Sequence, residues 1–237
     1  MSIQRVHVIG AGLMGHGIAQ VSAAAGKQVT LADRTIELAE KGKARIGGNL
    51  ARQVEKGKLE AAAADEIMGR IGTAVGSDGV AGHDIVIEAV FEDEALKRET
   101  WAAVTANADA NTIFASNTSS ISITGLATST DRPAQFIGLH FFSPVPVMKL
   151  IEIIRGLETD DATYAACRDF AGELGKTVIE SKDMPGFLVN RMLGPFINEA
   201  VFALMESTGT ADDIDTGARL GLNHPMGPLE LSDFIGN

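Results

Sequence analysis

The chain predicts an α/β fold: a doubly wound, mostly parallel sheet followed by an α-helical C-terminal region. Three observations predict it. Residues 6–34 read as a buried strand, a glycine turn, an apolar helix and a second strand ending in an acid. Short apolar runs then alternate with helical segments as far as residue 180. Beyond the turn-forming residues 181–186 only helical patterns follow.

Each glycine of the opening turn, Gly10-Ala11-Gly12-Leu13-Met14-Gly15, has a physical task. Gly10 allows the tight turn, Gly12 lets the backbone approach a pyrophosphate, and Gly15 lets the helix pack closely on the strand. The N–H groups at the helix start, around Leu13 and Met14, and the helix dipole are suited to phosphates. Asp33 stands 18 residues beyond Gly15, where it is expected to accept hydrogen bonds from the adenosine ribose hydroxyls. This is a Rossmann-type dinucleotide-binding unit, and its acid favours NAD over NADP. Arg34 could meet a 2′-phosphate, but Asp33 beside it would repel that group.

The 237 residues suit one large or two modest domains. A net charge of −11 argues against nucleic-acid binding, so an anionic ligand needs a local basic patch. The single cysteine, Cys167, excludes an internal disulfide and suits a reducing cytoplasm. The first residues run straight into a strand, without the pattern of a signal peptide, and no apolar run reaches membrane-spanning length. A cytoplasmic protein with no membrane or nucleic-acid partner is expected.

After Asp33, residues 35–58 read as a long helix carrying Lys41, Lys43, Arg45, Arg52, Lys56 and Lys58. Arg52 and Lys56 are spaced i, i+4 and share a face, where they are placed to meet phosphates or simply to be solvated. A short helix (59–69) and strand (71–75) precede residues 84–90, whose apolar run is that of a parallel strand covered on both faces. Glu92 and Lys97 lie beyond its carboxyl end, where open α/β sheets bind ligands. A helix (95–107) leads to a strand at 112–115 and then to Ser116-Asn117-Thr118-Ser119-Ser120. These residues suit either helix capping before 121–127 or a polar site. A strand at 135–140 delivers His140 at its carboxyl end, and Pro144 and Pro146 forbid helix after it. A strand (148–154), a helix (160–174) and a last strand (177–180) end the alternation. Helices are expected at 187–206 and 211–220, with another beginning at Pro228. No metal-ligand spacing is found.

By this topology Ser119, His140 and Asn190 converge: two lie just beyond strands and the third in the first turn of the helix after the boundary. Histidine titrates near neutrality and serves as a general base when an acceptor fixes its second nitrogen. Glu152, on the next strand across the proline turn, is the natural partner. Beside a nicotinamide the economical reaction is alcohol oxidation, with the base taking the hydroxyl proton and the ring the hydride. Ser119 and Asn190 would orient the substrate's oxygens.

With these residues in place, the chain resembles the L-3-hydroxyacyl-CoA dehydrogenase family, and most its short bacterial members acting on 3-hydroxybutyryl-CoA. The resemblance is carried by the glycine turn, residues 116–120, Gly138-Leu139-His140-Phe141-Phe142-Ser143-Pro144-Val145, Pro185-Gly186-Phe187-Leu188-Val189-Asn190-Arg191, and His224-Pro225-Met226-Gly227-Pro228. It implies His140 as base, Glu152 as its orienting partner, and Ser119 and Asn190 as substrate-positioning residues. It further implies Gly10, Gly12, Leu13, Met14, Gly15, Asp33, Glu92, Lys97 and Asn117 around NAD, and Arg52 and Lys56 near the phosphates of an acyl-CoA. The resemblance also implies a homodimer formed through the C-terminal helices. Family members continue several tens of residues past position 237, so the expected division is a Rossmann-like domain over 1–183 and an incomplete helical domain over 184–237. A sugar-acid dehydrogenase of the same superfamily, and a non-catalytic crystallin-like nucleotide-binding protein, are the alternatives. The basic face of Arg52 and Lys56 favours CoA over the first, and the intact Ser119, His140, Glu152 and Asn190 favour catalysis over the second.

Overall fold

A computed structural model describes residues 2–236, which fall into two compact units dividing between Pro185 and Gly186. In the first, β1 (Arg5–Ile9), α1 (Leu13–Ala24), β2 (Gln28–Asp33), α2 (Ile36–Glu55), α3 (Ala61–Gly69) and β3 (Ile71–Val75) come in turn. They are followed by β4 (Ile85–Glu88), α4 (Glu94–Asn107), β5 (Ile113–Ser116), α5 (Ile123–Ala127), β6 (Phe136–Phe141), β7 (Leu150–Arg155), α6 (Asp161–Glu173) and β8 (Thr177–Lys182). The second unit holds α7 (Val189–Met205), α8 (Ala211–Gly221) and α9 (Pro228–Ile235).

The eight strands form one sheet in the order β3-β2-β1-β4-β5-β6-β7-β8. β1 to β6 are parallel to one another, as their buried apolar runs and helical crossovers require. β7 runs antiparallel to β6 and β8 parallel to β7. Only residues 142–149 join β6 to β7, too few for a crossover helix, so the chain can return only as an antiparallel neighbour. The strand order reverses between β1 and β4. The crevice above their carboxyl ends is the switch point where open α/β sheets bind ligands.

Close packing fixes the opening unit. A Cβ on Gly15 would lie 1.6 Å from the Gly10 carbonyl oxygen, so α1 can approach β1 this closely only with glycine there. Gly10 itself has φ +97°, a conformation costly for any other residue. On the opposite side of the sheet Trp101 of α4 is wholly buried against the rings of Phe114 (5.2 Å) and Phe136 (4.9 Å).

Element limits follow local chemistry. Thr35 caps α2, accepting from Leu38 N, and Asp93 caps α4. Residues 116–120 do not cap the following helix. Ser122 does, accepting from Gly125 N, and α5 begins at Ile123 rather than at 121. α7 starts at Val189, two residues later than its apolar pattern suggests, because Gly186 and Phe187 have φ of +78° and +48°, outside the helical region. In the second unit, Thr210 and Asp213 form a capping box on α8, and Asp215 accepts from Leu229 N and Glu230 N at the start of α9. Among the described residues no helix is long and apolar enough to cross a membrane.

Candidate active site

The glycine turn stands at the switch point. Its Asp33 carboxylate accepts from Ala11 N (2.7 Å) through one oxygen and from Arg34 N (2.8 Å) through the other. That uses two of a carboxylate's roughly four acceptor positions. α1 starts at Leu13 with no side-chain cap, and Leu13 is exposed. A Cβ on Gly12 would meet no protein atom within 4 Å. The fold itself therefore makes no demand for glycine at position 12, and its bare backbone faces open space. An uncapped helix start, an open glycine and an acid at the end of the second strand suit a dinucleotide's pyrophosphate and ribose.

Three and four strands along the sheet from β1, His140 and Glu152 stand directly opposite one another in the antiparallel β6–β7 pairing. The Nδ1 atom of His140 is 3.0 Å from Glu152 Oε2, with Glu152 wholly buried and His140 nearly so. The ring of Phe142 lies 4.5 Å from the imidazole and covers it from one side. A carboxylate on Nδ1 fixes the tautomer, gives proton transfer to Nε2 and stabilises the imidazolium once formed.

Asn117, just beyond β5, ties this pair to the rest of the edge. Its side-chain oxygen accepts from Phe141 N (2.9 Å), the residue after His140. Its own N–H donates to the Glu88 carbonyl (2.8 Å) at the end of β4. Ser119 lies two residues on, half-buried, in a loop gathered by Glu92. One oxygen of Glu92 accepts from Thr118 Oγ1, from Ser119 N (2.8 Å) and Oγ (3.3 Å), and from Ser120 N (3.1 Å) and Oγ (3.0 Å). Partial burial opposes the charge of Glu92. The Thr118 hydroxyl, the Lys97 ammonium and the Ser119 and Ser120 donors outweigh it and hold the carboxyl down at about 2.

Lys97 is buried between two carboxylates, 2.6 Å from Glu88 Oε1 and 3.3 Å from Glu92 Oε2. Glu88, wholly buried, also accepts from Val90 N (2.9 Å) and Ser116 Oγ (2.6 Å). Sequence reasoning passed over Glu88, although an acid closing an otherwise apolar strand was a visible signal. It also passed over Asp183, whose carboxylate accepts from Ser122 Oγ, Ile123 N and Thr124 N and so anchors the start of α5.

Three more expected residues lie on helices or at their ends. Asn190 belongs to the second unit, in the first turn of α7. Arg52 and Lys56 are exposed at the far end of α2. Gly42 of that helix lies against Ala11, and at 1.5 Å per residue the two cations stand about 15 and 21 Å further along the axis. They are not gathered with the groups at the carboxyl edge.

Comparison with known proteins decides the family. Residues 5–184 match the NAD binding domain of 3-hydroxyacyl-CoA dehydrogenase, and residues 186–237 match its C-terminal domain. The chain belongs to the 3-hydroxyacyl-CoA dehydrogenase family. It is 50% identical over 234 residues to a 3-hydroxybutyryl-CoA dehydrogenase of Bradyrhizobium diazoefficiens, covering 99% of this chain and 80% of that one. It is 42% identical over 240 residues to the human mitochondrial hydroxyacyl-coenzyme A dehydrogenase, covering 99% and 76%. The crystal structure of (S)-3-hydroxybutyryl-CoA dehydrogenase from Ralstonia eutropha superposes with a TM-score of 0.97 at 46% identity, covering 99% and 83%. This dehydrogenase is thus an NAD-binding oxidoreductase, with its doubly wound sheet followed by a helical C-terminal region.

Proposed function

We propose that the dehydrogenase interconverts short L-3-hydroxyacyl-CoA thioesters and their 3-ketoacyl counterparts, with His140 as the general base. The observation that carries this is the buried Glu152 carboxylate 3.0 Å from His140 Nδ1, in the same sheet as the glycine turn. NAD, when bound, supplies the hydride acceptor. His140 takes the C3-hydroxyl proton at Nε2, and Glu152 holds the ring's orientation and balances its new charge. In the reverse direction the same nitrogen returns the proton. Ser119 and Asn190 position the substrate's oxygens. Gly10, Gly12, Leu13, Met14 and Gly15 receive the pyrophosphate, Asp33 the adenosine ribose, and Glu92, Lys97 and Asn117 border the nicotinamide end. Arg52 and Lys56 meet the phosphates of coenzyme A, whose extended arm suits their distance from the sheet's carboxyl edge.

Acetoacetyl-CoA reduction by NADH tests the assignment. Turnover in the parent chain, cut by on the order of 10²–10⁴ in His140→Gln while NADH still binds, is the expected result; equal turnover in both removes the base. NADPH run alongside should react poorly because of Asp33. We also read the protein as a cytoplasmic homodimer. Its single cysteine supports the compartment, and the exposed Val201, Phe202, Leu204 and Met205 of α7 support the dimer. A monomer mass by light scattering at micromolar concentration would remove the dimer.

A further inference from the structure

We infer that Glu88 is a positioning residue: its buried carboxylate holds the Lys97 ammonium, Lys97 fixes Glu92, and Glu92 holds the loop that presents Ser119. The inference rests on the proposal that Ser119 orients the substrate.

Glu88 closes β4 at the switch point, paired in register with Ile9 of β1 and Ser116 of β5. Both of its oxygens are used inside the protein, by Lys97 and Val90 N on one and Ser116 on the other. Lys97 Nζ donates to Glu88 Oε1 at 2.6 Å and to the Val90 carbonyl at 3.4 Å, and it forms an ion pair with Glu92 Oε2 at 3.3 Å. Its ammonium is engaged by groups of the protein itself. Its charge acts on the protein.

Stability does not account for the arrangement. Taking a carboxylate and an ammonium out of water costs about what their attraction returns, and a well-packed apolar pair of similar volume commonly does as well. What an apolar pair cannot supply is a cation beside Glu92. Glu92 is partly exposed, yet five donors of residues 118–120 converge on one of its oxygens. Its other oxygen is held from beneath by Lys97. The chain of contacts from Glu88 to Ser119 is continuous, and each link is within 3.3 Å.

The test is a coupling measurement. Glu88→Gln removes the buried negative charge against Lys97 and leaves Lys97 itself in the chain. Its amide oxygen still accepts from Val90 N, its NH2 meets the Ser116 hydroxyl once that group turns from donor to acceptor, and Glu88→Asp is the conservative control that keeps the charge. Glu88→Gln is expected to lose about tenfold or more in kcat/KM for acetoacetyl-CoA at saturating NADH, and Glu88→Asp to recover part of that loss. Ser119→Ala, costly in the parent, should cost less than about twofold more in the Glu88→Gln background, because a loop already released has no position to lose. A role confined to stability would lower the melting temperature and leave the two losses additive. A stable variant with parental kcat/KM, or full additivity with an active Ser119, overturns the inference alone. A silent Ser119→Ala in the parent overturns the role of Ser119 and this inference with it.

Discussion

Glu152 Oε2 sits 3.0 Å from His140 Nδ1 because the two residues are direct register partners across an antiparallel strand pair. Two backbones, rather than a flexible loop, set the geometry. His140→Gln should reduce turnover by on the order of 10²–10⁴ while NADH affinity stays within a few-fold. Glu152→Gln should reduce it roughly 10²-fold through loss of ring orientation and charge balance. Steady-state kinetics with NADH fluorescence titration checks both; unfolding of Glu152→Gln would make that residue structural instead.

Gly12 and Gly15 separate cofactor contact from packing. Gly15→Ala drives a methyl group against the Gly10 carbonyl, and a cost of about 3 kcal/mol is expected in denaturant titration. Gly12→Ala meets nothing in the protein, so its melting temperature should match the parent. Its NADH affinity should fall about tenfold or more, as a methyl group takes the space of a pyrophosphate. Equal affinity would place the phosphates elsewhere.

His7 makes the fold acid-sensitive. Burial, opposed by its hydrogen bond to the Gly76 carbonyl and assisted by the nearby His83, lowers it from an ordinary 6.5 to about 4. Its Nδ1 is buried without a hydrogen-bond partner. Below pH 6.5 the unfolded chain takes up a proton that the folded chain refuses. This contribution is therefore complete above 6.5 and is lost as the pH falls toward 4, by about 3 kcal/mol. His7→Leu should flatten the stability profile between those limits. An unchanged slope in urea titrations across that range would exclude His7 as its source.

Arg52→Ala and Lys56→Ala should each raise KM for acetoacetyl-CoA about three- to tenfold at low salt, less at high salt, with kcat unaltered. A thioester lacking the nucleotide, such as acetoacetyl-N-acetylcysteamine, should show no difference from the parent. A matching loss on the truncated substrate would mean that the two cations do not read the phosphates.

Local rules made much of this legible. The glycine turn, Asp33, and the pairing of His140 with Glu152 follow from strand ends, turn chemistry and the prolines between them. The ionic cluster did not. Glu88, Lys97 and Ser116 come from three separate elements, and only the parallel register that sets Glu88 beside Ser116 brings them together. Residues 116–120 have the composition of a cap, yet the Ser116 hydroxyl donates to Glu88 and those of Thr118, Ser119 and Ser120 donate to Glu92, which gathers the segment into a loop ahead of α5.

The strand that carries Glu152 has isoleucines on both surfaces, at 151 and 153 on one and 154 on the other. Greasiness alone would accept a slide of one residue past β6. Two things forbid it: the notch at Gly138, filled by Ile154 and Ile123, and the lone carboxylate that must meet an imidazole. The acid–base pair therefore doubles as an alignment key for the sheet. A Glu152→Leu chain should show doubled amide resonances along residues 150–155 as neighbouring alignments exchange.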